Sequence, residues 1–192
     1  MRKITFDIET KNTFEDIGEN TPEKLDISIV CIHDSETDFY DSFLEDDFDR
    51  LWPILEKADM LIGYNSDHFD IPLLNKHYLG NLNKIKSLDI LKEIYKSSGR
   101  RMKLDNVAET TLGEGKSGHG LEAVTWWKTG EIDKIRQYCL DDVRITKAVY
   151  DYAMKNSLLK FKDQGVIKEI KLDTSSWEKI EENREVETSS LF

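Results

Sequence analysis

Thr5-Phe6-Asp7-Ile8-Glu9-Thr10, near the start of the chain, is an apolar-rich strand run into which two acids are set one residue apart. Side chains on a strand alternate between faces, so Asp7 and Glu9 project to the same side, a few ångströms from each other. Carboxylates that close raise each other's pKa unless a positive charge lies between them. Hard oxygen donors in that arrangement suit Mg²⁺ or Mn²⁺. A D-x-E by itself also fits a strand end whose acids face water, so the rest of the chain has to separate the two.

Working outward, hydrophobic periodicity predicts a first strand over 2–8 and a polar loop over 10–24 that ends near Pro22. Leu25 to His33 and Thr37 to Phe43 read as two strands joined by the tight turn Asp34-Ser35-Glu36, which makes them an antiparallel hairpin. Asp46-Asp47 caps a helix running to Lys57, with Leu51, Ile54 and Leu55 on one face, and Met60 to Tyr64 is a short buried strand. Strand, helix and strand in that order imply a parallel crossover, so the sheet is mixed and the class α/β. Helices are expected at 69–78, 88–97, 104–111 and 132–155, followed by a hairpin of Leu158–Lys162 and Val166–Leu172 around Asp163-Gln164-Gly165. The organisation expected is one domain over 1–156, a hairpin appendage over 157–173 and an acidic, flexible tail over 174–192. Between Gly113 and Gly120 four glycines flank Lys116 and His119, a loop suited to covering a substrate. It lacks the preceding strand and the Lys-Ser/Thr ending of a P-loop, which excludes nucleotide hydrolysis of that kind.

Composition sets the remaining bounds. A hydrophobic content of 39% with 10% aromatics fits a soluble globular chain, with no apolar run long enough for a membrane span and no signal-peptide pattern. Cys31 and Cys139 are too few for a disulfide framework or a zinc site, and their apolar contexts point to buried free thiols and a cytoplasmic location. The net charge of −11 is unevenly placed: residues 1–59 hold 17 acids against 6 bases, whereas residues 76–104 hold 8 bases against Asp89 and Glu93. The basic segment is where a phosphate backbone could lie, although an ordinary solvated helix face has the same composition.

Two later stretches bear on Asp7 and Glu9. In Gly63-Tyr64-Asn65-Ser66-Asp67-His68-Phe69-Asp70 a buried strand runs out into a helix start, where Asp70 meets the positive end of the macrodipole and Asp67 fits a helix cap. In Tyr138-Cys139-Leu140-Asp141-Asp142, Tyr138 and Asp142 are four apart on one helix and share a face. Together the three stretches resemble the tyrosine (DEDDy) branch of the DnaQ-like, RNase H-like 3′→5′ exonucleases. The motifs stand here as Phe6-Asp7-Ile8-Glu9-Thr10, Asn65-x-x-x-Phe69-Asp70 and Tyr138-x-x-x-Asp142, and the likeness spans roughly 2–150. Gly63 to Leu74, Lys103 to Ala108 with Leu112-Gly113, and Tyr138 to Thr146 look closest to the exonuclease domains of family B DNA polymerases and their stand-alone relatives. Gln137 occupies the position at which the sister branch carries histidine.

The resemblance implies an RNase H-like mixed five-stranded sheet, antiparallel at one edge and parallel elsewhere, with helices on both faces. It implies two divalent ions, Mg²⁺ or Mn²⁺, about 3.5–4 Å apart, that clamp the attacking and leaving oxygens of a displacement at phosphorus. Asp7 would bridge the ions, Glu9 and Asp142 would complete the site of the ion that activates water, and Asp70 would hold the second. Tyr138 would orient the attacking water, since a phenol with a pKa of about 10 is a poor base at neutral pH. Single-stranded nucleic acid is the implied partner, DNA favoured over RNA, and nucleoside 5′-monophosphates the product, in repair or proofreading. Thr10, Asn65, Phe69, Arg100, Arg101 and Lys103 are the candidate substrate contacts, with Tyr64 a second candidate for base stacking. An exoribonuclease and a binding scaffold without activity are the rivals; the scaffold would be expected to have lost carboxylates. The terminal Ser-Leu-Phe, with Leu191 and Phe192 at its tip, is similar to the short peptides by which bacterial repair proteins hold the sliding clamp, with Thr188 at the position of their usual glutamine.

Overall fold

A computed structural model describes residues 1–113 and 120–179. The chain runs β1 (Lys3–Thr10), α1 (Phe14–Ile17), β2 (Ile27–Asp34), β3 (Phe39–Phe43), α2 (Phe48–Glu56), β4 (Met60–Gly63) and α3 (Asp70–Asn75). It continues through β5 (Lys86–Asp89), α4 (Ile90–Ser98), α5 (Leu104–Leu112), α6 (Gly120–Lys128), α7 (Ile132–Asn156), β6 (Leu158–Asp163) and β7 (Val166–Lys171). The first five strands form one sheet in the order β3-β2-β1-β4-β5. The β1–β2 and β2–β3 pairs are antiparallel, and β1–β4 and β4–β5 are parallel. This is the mixed α/β sheet expected.

Alternation along β1 separates core from chemistry. Ile4, Phe6 and Ile8 point into an apolar layer with Leu51 and Leu55 of α2 and Leu73 and Leu74 of α3. The odd-numbered residues face the opposite layer, where α7 packs across β1 and β2. Ile29 and Cys31 of β2 meet Ile135, Cys139 and Val143 of α7 there. Farther along, α4, α5 and α7 close over Met60, Ile62 and Leu88. Helices therefore cover both faces.

The structure corrects three local expectations. Residues 88 and 89, read as the start of a helix over 88–97, end the parallel edge strand β5, and Asp89 caps α4 by accepting from the N–H groups of Leu91 (2.9 Å) and Lys92 (3.3 Å). The polar loop over 10–24 contains the helix α1, whose Thr13 and Asp16 make a reciprocal capping box. Residues 174–179, read as the start of a loose tail, pack onto the body: Trp177 is 2% exposed and stacks on Tyr150, with ring centroids 6.1 Å apart, and Glu178 bonds Lys3 and Tyr150 at 2.7 Å each. The helix α6 adds to the elements that periodicity predicts. The glycine-rich segment with Lys116 and His119, and the end with Leu191 and Phe192, lie outside the described residues.

Candidate metal centre and active site

On β1 the pairing with β4 runs only through Thr5, while the pairing with β2 continues to Thr10, with an irregularity between Glu9 and Thr10. Asp7 and Glu9 thus stand where β1 outruns its parallel neighbour, at a place where a bulge re-aims side chains. Alternation turns both toward α7, and Asp142 meets them from that helix. One carboxylate oxygen of each lies within 4.8 Å of the others, with Glu9 and Asp142 buried and Asp7 partly open. Behind them the Cys139 Sγ donates to the Asp7 carbonyl at 3.4 Å, tying helix to strand. The two cysteines are free thiols, and burial pushes the Cys139 thiol well up. Three carboxylates in so small a space repel one another strongly. A donor set made only of hard oxygens, open on one side, fits Mg²⁺ or Mn²⁺ and not a soft thiophilic ion.

Asp70 does not join that triplet. It is buried at the first position of α3, and its carboxylate takes backbone N–H groups from itself and from Ile8, the residue between the two acids of β1. Burial pushes it up, those N–H groups pull it down, the Asp89 charge pushes it up, and the balance stands at about 8. The loop before it is held by Asp89, whose carboxylate accepts the N–H groups of Asn65 (2.8 Å) and Asp67 (3.2 Å). Asn65 lies in the left-handed region, φ 68°, a conformation that asparagine tolerates better than most residues. Asp67 is fastened by Ser87 and Lys92 at 2.6 Å each. Sequence reasoning misses Asp89 as a site-building residue, because Asp before Ile-Leu-Lys-Glu says only that a helix starts.

Tyr138 and Asp142 share the buried face of α7, as their spacing requires, and the Tyr138 ring meets Trp126 of α6 edge-on at 6.0 Å. Phe69 is half-buried and makes an edge contact, 6.0 Å between centroids, with Phe14 of α1. Tyr64 is turned away to the linker before α5, its hydroxyl donating to the Met102 carbonyl at 2.8 Å. The Thr10 hydroxyl donates to the Asn12 carbonyl at 2.8 Å. Phe14 and Trp126 have no sequence signal of their own; tertiary packing alone brings them beside Phe69 and Tyr138.

A family model for the RNase H superfamily matches residues 4–154. The chain belongs to the RNase H superfamily. Among solved structures it is similar to the family B DNA polymerase from the hyperthermophilic archaeon Pyrobaculum calidifontis, with a TM-score of 0.62 and 20% identity. That match covers 80% of this chain and 24% of the polymerase, and at such identity it speaks for the fold. No curated protein matches.

In this RNase H superfamily chain the basic segment 76–104 is not one continuous track. Lys76 bonds Leu25 O and Asp26, Lys86 bonds Ser176 O, Lys92 bonds Asp67 and Lys96 bonds Glu93. Positive charge gathers instead at 100–103, where Arg101 donates to the Asn65 amide oxygen and Arg100, Arg101 and Lys103 line a cleft. Arg100 is engaged by Asp163 of β6.

Proposed function

We propose that the protein is a metal-dependent 3′→5′ exonuclease of the tyrosine branch that shortens single-stranded DNA and releases nucleoside 5′-monophosphates. The observation that carries this reading is the convergence of Asp7, Glu9 and Asp142 from the two ends of an RNase H superfamily domain. Asp7, Glu9 and Asp142 would hold one divalent ion, and Asp70, at the first position of α3, would serve a second. Ions bound there supply Lewis acidity, offsetting charge on the phosphodiester and making water acidic enough to deprotonate near neutral pH. Tyr138 orients the attacking water, Phe69 packs against the terminal base, and Asn65 fixes the strand end. None of the four carboxylates is missing from the sequence, which argues against a scaffold that has lost catalysis.

The test uses single-stranded DNA and RNA of one sequence, labelled at either end, with Mg²⁺, Mn²⁺ or EDTA. A 3′ label is expected to leave at once as a mononucleotide and a 5′-labelled strand to shorten stepwise, with EDTA stopping both. Asp7→Ala is expected to abolish turnover while the melting temperature stays or rises, since mutual repulsion is relieved. Normal turnover by Asp7→Ala would sink the assignment, and faster loss of RNA than of DNA would replace it with the ribonuclease reading.

A further inference from the structure

The cleft beside the 100–103 linker has its second wall on β6, an element beyond the matched residues 4–154. We infer that this cleft, between the α4–α5 linker and the β6–β7 hairpin, binds the phosphodiester backbone of the strand a few nucleotides 5′ of the end held at the acidic triplet. The inference rests on the proposed function for its direction along the strand. The cleft encloses about 270 Å³ and is lined by Arg100, Arg101, Lys103, Asn106, Lys162 and Asp163.

Charge is the first argument. Asp163 is the one acid in that lining, and it is matched twice, by Arg100 at 2.8 Å and by Lys168 at 2.7 Å, which hold it far below the usual carboxylate range. Arg101, Lys103 and Lys162 have no carboxylate partner among the described residues, Arg101 resting on the neutral amide of Asn65. An unneutralised cluster of cations in a concave, partly walled site concentrates polyanions.

Rigidity is the second. Side chains of α5 satisfy the outer edge of β6 as a neighbouring strand would. Asn106 Nδ2 donates to the Lys162 carbonyl at 2.9 Å, and the Lys162 N–H donates to Asn106 Oδ1 at 2.7 Å. Thr111 repeats the exchange with the Lys160 N–H at 2.9 Å and the Lys160 carbonyl at 3.0 Å. The hairpin is thereby fastened to a core helix and its cations are held apart, which lowers the ordering cost when a ligand binds. Continuity is the third. Met102 and Arg101 bond Tyr64 and Asn65, so the cleft adjoins the loop that delivers Asp70.

The experiment measures fluorescence anisotropy of labelled oligothymidylates of 3 and 12 nucleotides with the full chain in EDTA, over a range of salt, so that binding is read without turnover. Lys162→Glu and Lys103→Glu are each expected to weaken the 12-mer about tenfold and to lower its salt slope by about 0.7 for each phosphate left without its cation, with a smaller effect on the 3-mer. Lys162→Arg should restore both. Circular dichroism checks that the variants are folded; the Lys162 ties to Asn106 are made by its backbone and survive the substitution. Unchanged 12-mer affinity and salt slope in both folded variants would overturn the inference. So would an equal weakening on the 3-mer, which places the cations at the strand end, or equal affinity for an oligoglutamate, which points to an acidic peptide. A wild-type chain that binds the 12-mer through Lys162 yet degrades nothing would refute the nuclease reading and leave the cleft standing. One that degrades strands while Lys162→Glu and Lys103→Glu bind normally would do the reverse.

Discussion

At the scale of single residues, the site is a problem in placing like charges. Three carboxylates share a space under 5 Å across, and a fourth, Asp70, is turned onto the backbone of the same strand, where burial disfavours its charged form. Such a cluster is tolerable where a cation completes it. Tyr138, 4% exposed and packed on Trp126, is held by its ring, so removing only its hydroxyl should leave packing intact. If that hydroxyl orients water, Tyr138→Phe is expected to slow single-turnover hydrolysis by about 10- to 10³-fold with metal affinity unchanged. Full activity in single-turnover measurements would assign Tyr138 to packing alone.

At the scale of elements, the loop between β4 and α3 is shaped by a residue on the next strand. Asp89 gathers the N–H groups of Asn65, Asp67, Leu91 and Lys92 on one carboxylate, so the cap of α4 is also the clamp of the loop that aims Asp70. Asp89→Ala removes a cap and two loop bonds together and is expected to destabilise the fold by about 2–3 kcal/mol in urea titrations. The same change should weaken Mg²⁺ binding in calorimetry, because the loop is loosened, and Asp89→Asn, which keeps an acceptor oxygen, should recover part of both. Metal affinity unaffected by Asp89→Ala would confine Asp89 to capping.

At the scale of the whole molecule, residues 174–179 strap the C-terminal hairpin to the start of β1. Trp177 lies in the core layer shared by α4, α5 and α7, its Nε1 donating to Glu93 at 3.4 Å, and Lys86 donates to Ser176 O at 3.1 Å. Emptying that site with Trp177→Ala is expected to cost about 3–5 kcal/mol, read as a lower denaturation midpoint. A decrease under about 0.5 kcal/mol would mean that the strap is peripheral.

The sequence by itself determined most of the architecture and pointed to the three acids that come together. Strand periodicity placed Asp7 and Glu9 on one side, helix periodicity placed Tyr138 with Asp142, and the tight turn at 34–36 made the hairpin antiparallel, because these are local consequences of repeat lengths of 2 and 3.6. Local pattern could not find β5, whose four residues are too short for a period and end in a helix cap, nor the burial of Trp177 in a stretch of polar neighbours. Tertiary structure alone decided that Asp142 meets Asp7 and Glu9 while Asp70 turns onto Ile8. It also decided which of the eight bases over 76–104 have no carboxylate partner among the described residues. Ion pairing depends on what the fold brings within a few ångströms, and no spacing along the chain encodes that.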